Sequence, residues 1–163
     1  MKRILLAMIS CLALLPTFSS AIAVSQSDAI SDNCDTLRET LKSIQHEDSR
    51  ARVYLGGHFE TIFGSFVKPF NHRLIENNLI NSDFVSSQTD YAEAKATFSD
   101  DFIKYQKSLE NLLLIDCKAH PDDFYNGLIT VRANRATVKS DTDKLKKLSR
   151  DHYALVQNLE LKP

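Results

Sequence analysis

The sequence predicts an all-α protein of three long antiparallel helices in up-down-up order, packed like a coiled coil, with the first helix kinked near Pro69. Three observations carry this. Phe84, Tyr91, Phe98, Tyr105 and Leu112 recur every seven residues with Phe102 and Leu109 interleaved, a heptad seam with an aromatic stripe. Cys117-Lys118-Ala119-His120-Pro121-Asp122-Asp123 then joins two amphipathic patterns. Proline suits a first helical turn, and the two aspartates face the positive end of the helix dipole, so one helix ends near Cys117 and the next starts near Pro121. Finally, Cys34 and Cys117 mark the start of the first helix and the end of the second, which lie at the same end of an up-down-up bundle.

With 163 residues, 43% hydrophobic and 25% charged, the composition is that of one folded domain. Residues 1–23 read as a secretory signal peptide. Met1-Lys2-Arg3 is basic, Ile4 to Leu15 is apolar, Pro16 breaks the run, and Ala21-Ile22-Ala23 fits a small-x-small cleavage site. Two alternatives are an uncleaved N-terminal anchor, because Ile4 to Val24 carries no charge, and a lipid-acceptor role for Cys11. Export places the protein outside the cytoplasm, in the periplasm, at the cell surface or secreted. Losing Lys2 and Arg3 takes the basic count from 20 to 18 against 21 acids, a formal charge of −3 that argues against nucleic acid as the main partner. Cleavage also removes Cys11 and leaves Cys34 and Cys117 in an oxidising compartment, where a single disulfide is expected.

Residues 24–32 are small and polar without a clear period and read as a flexible lead-in. The first helix is expected over about 33–78. Leu37, Leu41, Ile44, Ala51, Leu55, Phe59, Ile62 and Phe66 share one face, with a skipped step at Asp48. Gly64 and Pro69 should kink or break it, because proline leaves the Ser65 carbonyl without its helical donor. Asn77, Asn78 and Asn81 favour a turn. Ser82 reads as the N-cap of a second helix over about 82–118. The third helix, about 121–160, places Phe124, Leu128, Val131, Val138, Leu145, His152, Val156 and Leu159 on its seam. Arg135, Thr142 and Ser149 interrupt that seam, so its middle should be less deeply buried. Pairing the last two helices about the corner sets Phe102 near Val138 and Asp101 near Lys139.

Two surfaces stand out. Residues 55–70 hold three of the four glycines and four of the nine phenylalanines. Burial between neighbouring helices, with glycines allowing close approach, competes there with a membrane or partner surface made by Phe59, Phe63, Phe66 and Phe70. On the third helix Arg132, Lys139 and Lys146 are seven apart and line one flank. Such a stripe is ordinarily a solvated shoulder; the alternative is contact with an anionic envelope polymer or lipid head group. His120 with Asp116, Asp122 and Asp123 is the one local group that suggests a metal. No HExxH, GxSxG, P-loop or GxGxxG is present, and acids at helix ends have a capping use. No catalytic residue, metal or cofactor is therefore expected, and the chain does not read as an enzyme.

Arg52-Val53-Tyr54-Leu55-Gly56, Pro69-Phe70-Asn71-His72-Arg73-Leu74, and Asp116-Cys117-Lys118-Ala119 with Asp123-Phe124-Tyr125 resemble uncharacterised exported helical proteins of the ultra-small candidate-phylum bacteria. The resemblance implies a signal peptide and a helical body outside the cytoplasm, and carries no activity or site residues. The expected function is a non-enzymatic interaction or structural protein of the cell envelope or exterior. The alternative is a membrane-active helical protein using residues 55–70. The polar residues of the third seam leave room for a helix from an unknown protein partner or from a second copy.

Overall fold

A computed structural model describes residues 25–159; the signal-peptide reading and its alternatives lie outside them. Among the described residues the chain is all-helical, without strands. The elements are α1 (Gln26–Asp32), α2 (Cys34–Thr61), a π-helical segment (Ile62–Val67), α3 (Lys68–Glu76), α4 (Ser82–Leu114) and α5 (Pro121–Gln157).

α1 occupies the stretch expected to be a flexible lead-in. Ser25 caps it by accepting from the Asp28 N–H, Asp28 sits in its first turn, and Ile30 is buried against the core. Its Ser27 hydroxyl donates to Asp122 at the start of α5. A two-turn helix with one buried apolar residue leaves no readable period, which is why the sequence hides it.

α2, the π segment and α3 follow one another without a break, where the sequence predicted a kink or a break near residues 64–69. The Lys68 N–H bonds to the Phe63 carbonyl, five residues back, so one wider turn absorbs the disturbance that Pro69 introduces. That extra residue also turns the faces. Phe59, Val67, Asn71 and Leu74 are buried beneath α4, while Phe66, placed on the seam by α-helical spacing, points outward at 63% exposure. Asn78, at φ 55°, then ends the run in the asparagine-rich turn.

Asn81, and not Ser82, caps α4. Its side-chain oxygen accepts from the Asp83 and Phe84 N–H groups. Buried Asn71 donates to the Phe84 carbonyl at 2.7 Å, tying α3 to this helix start. α4 is the hub. Its aromatic stripe supplies Phe84, Tyr91, Phe98, Phe102 and Tyr105 to the core, all 3% exposed or less. Each buried ring of this size contributes roughly 1.5–3 kcal/mol, more than any surface ion pair in the molecule.

Side-chain contacts join α4 to both long neighbours. Ser87 meets His152 and Tyr91 meets Ser149, while Leu112 lies against Gly127 on α5. On the other side Asp48 meets Tyr105, Phe59 meets Phe98 and Phe63 meets Tyr91. α2 and α5 both pack along α4 but approach each other little.

Candidate functional site

The shallow approach of α2 to α5 leaves a groove of about 610 Å³ between them. Leu55 from α2, Phe102 from α4 and Val138 from α5 make its apolar floor. Arg132, Lys139 and Lys146, the predicted basic flank, form one rim and are all exposed. Lys139 pairs with Asp143 one turn along its own helix at 2.9 Å, and not with Asp101 as the register suggested. Among the described residues Arg132 and Lys146 make no ion pair.

Beneath this groove the polar interruptions of two seams meet. Asp48, where the first seam skips, accepts from the Tyr105 hydroxyl at 2.5 Å. It also accepts twice from Arg135, the interruption of the last seam, through Nε and Nη2 at 2.9 Å each. One carboxylate thus joins α2, α4 and α5. Burial and the neighbouring Asp48 push the Tyr105 phenol well above its usual range, so it stays protonated and remains the donor. The Asp48 hydrogen bond holds Arg135 above the ordinary guanidinium range. Sequence reasoning saw both interruptions but had no signal for their meeting, because each belongs to a different helix.

Thr142, the next interruption, is buried, contrary to the shallower burial expected there. Its hydroxyl bonds back to the Val138 carbonyl at 2.9 Å, so no polar group is stranded. Asp101 faces Asp141. Burial, followed by the Asp101 charge, pushes the Asp141 carboxyl up.

The structure divides the four candidate phenylalanines. Phe59 is buried edge-on to Phe98, and Phe63 is half-buried, stacked on Tyr91 with Lys95 Nζ 4.7 Å above its ring. Phe70 is half-buried against Phe84 and His152. Phe66 alone is exposed, and with Tyr153 it frames a mostly apolar cleft of about 410 Å³ between the π segment and α5. The glycines do not serve close approach here: a Cβ at Gly56 or Gly57 would meet nothing within 4 Å. The close approach falls at Gly127, unflagged by the sequence, where a Cβ would lie 2.9 Å from Leu112 Cδ1.

His152 is buried at the back of this cleft, its Nδ1 3.0 Å from the Ser87 hydroxyl and its ring edge-on to Phe70 and Phe84. At the corner, Cys34 and Cys117 are joined in a disulfide with Cα atoms 5.5 Å apart. Lys118 bridges to Asp35, and Arg38 donates to the Ile115 carbonyl, so three links tie the start of α2 to this corner. The acids around His120 have local uses: Asp116 accepts from the Lys118 and Ala119 N–H groups, which lowers its pKa, and Asp122 accepts from Ser27. Among the described residues no three His, Cys, Asp or Glu side chains cluster as a metal site, and no helix is long and apolar enough to cross a membrane. No family model, curated protein or solved structure matches the chain.

Proposed function

We propose that this chain is an exported, non-enzymatic interaction protein of the cell envelope or exterior, an up-down-up bundle of three long arms that works through a helix-lined surface. The observation that carries the reading is the groove between α2 and α5, an apolar floor with cations along one edge, held open above the Asp48–Tyr105–Arg135 contact. A concave apolar surface with a polar rim is the usual anatomy of a protein docking site. The Cys34–Cys117 bond supports an oxidising compartment. The sequence resemblance to exported helical proteins points the same way.

The test is fractionation of cells making the full chain, with a photo-reactive residue at position 139. The reading expects a product outside the cytoplasm that lacks the first 23 residues and forms a discrete cross-linked adduct. A control residue at the exposed Val53 should form none. A full-length cytoplasmic product with free thiols at Cys34 and Cys117 would overturn it.

A second reading, membrane contact through the 55–70 region, is favoured by Phe66 and Tyr153, more than 60% exposed beside an apolar cleft. Flotation with neutral and anionic liposomes decides it. Phe66→Ser changes an exposed side chain and leaves the Phe63–Tyr91 stack intact. Flotation of wild type but not of folded Phe66→Ser supports this reading, and sedimentation of both removes it.

A further inference from the structure

We propose that the groove between α2 and α5 is a docking site for an acidic amphipathic helix, one whose apolar seam is flanked on a single side by Asp or Glu every seven residues. The inference rests on the interaction reading above and names the partner's chemistry. Arg132, Lys139 and Lys146 recur every seven residues on α5, so they mark two-turn steps of roughly 10 Å along one wall. The opposite wall presents Ala51 from α2, small and apolar, without a matching row of cations.

This asymmetry specifies the occupant. Leu55, Phe102 and Val138 require an apolar face, which a polysaccharide or a nucleic-acid backbone lacks. The concave floor between two ridges suits a third rod and not a flat bilayer surface. An α-helix supplies both needs, with side chains every three to four residues entering the groove and a flanking position returning every second turn in step with the cations.

Charge complementarity points to acids on that flank. Four cations against two carboxylates leave the groove with two formal positive charges, on a chain whose overall charge is negative. Arg135 is held by Asp48, so the cations free to meet a partner are Arg132 and Lys146, with Lys139 restrained by an exposed pair of little strength.

The test uses the purified, oxidised protein and three labelled three-heptad peptides of equal helicity and identical Leu/Ala seams. One carries Glu at the flanking heptad position, one Gln and one Lys, and binding is read by fluorescence anisotropy at low and high salt. The Glu peptide is expected to bind about tenfold tighter than the Gln peptide at low salt, an advantage that shrinks as salt rises. In R132E/K146E, both changes being exposed and outside every ion pair of the described residues, the order should invert in favour of the Lys peptide.

Equal binding of all three peptides would overturn the acidic partner while leaving an interaction groove in place. A Glu preference that persists in R132E/K146E would put the site elsewhere and overturn the inference. Binding of none of the peptides to protein of native circular dichroism would also overturn it, whereas the interaction reading itself stands or falls on the cross-link from position 139.

Discussion

Asp48 joins three helices because its carboxylate has acceptor capacity for three donors, and Tyr105 and Arg135 supply them. The buried Tyr105 hydroxyl would otherwise cost about 1–3 kcal/mol unpaired, so the polar step in an apolar seam is a requirement of the ring opposite it. His152 is the other buried polar residue with a measurable consequence. Burial holds its imidazole below the ordinary value of 6.5, and its closest ring neighbours, Phe70 and Phe84, are uncharged. As pH falls through that value the unfolded chain binds the proton more readily, so this contribution to stability is full above it and is lost below it. Thermal unfolding of wild type should therefore fall between about pH 7.5 and pH 5.5 more steeply than that of His152→Leu, which does not titrate there. Parallel melting curves would show that the ring is solvated in solution.

At the scale of elements, the π segment decides what residues 55–70 do. One wide turn keeps Phe59 and Val67 under α4 and swings Phe66 into solvent, so the aromatic-rich stretch is mostly core with one outward ring. Heptad and α-helical spacing located the long helices and most of the core, including all five aromatic positions of the α4 stripe, but not the short α1. They misplaced Phe66, because they assume a constant number of residues per turn. Glycines divide in the same way. At Gly57 a Cβ meets nothing, so Gly57→Ala should raise stability by about 0.5–1 kcal/mol through helix propensity alone. At Gly127 the same substitution puts Cβ 2.9 Å from the buried Leu112 side chain, and overpacking of about 1–3 kcal/mol should outweigh the propensity gain. Urea unfolding of the two variants should move the midpoint in opposite directions; two stabilised variants would mean that α4 and α5 yield more easily than their packing indicates.

For the whole molecule, the bond between Cys34 and Cys117 closes a loop across 83 positions that includes α2, α3 and α4. In the chain-entropy model such a loop destabilises the unfolded state by about 4–5 kcal/mol, a large share of a typical margin of about 5–15 kcal/mol. The Cys34→Ser, Cys117→Ser double variant should lose stability of that order in urea, with the remaining links at the corner, the exposed Lys118–Asp35 pair and the single Arg38 to Ile115 hydrogen bond, too weak to replace it. A loss under about 1 kcal/mol would show that the unfolded chain keeps this corner closed without the bond.

The amino-acid sequence by itself determined the helical class, the three long runs, the Cys117 to Pro121 corner and the cysteine pair, because these depend on spacing within a helix and on residues that stop or start one. Only the tertiary structure decided that Tyr105 and Arg135 share Asp48, that Phe66 faces outward, and that the basic flank borders an apolar groove. Those outcomes depend on how far each helix is rotated and how closely it approaches the next. Rotation and approach are set by the whole set of packed side chains around α4, and no repeat along a single helix encodes them.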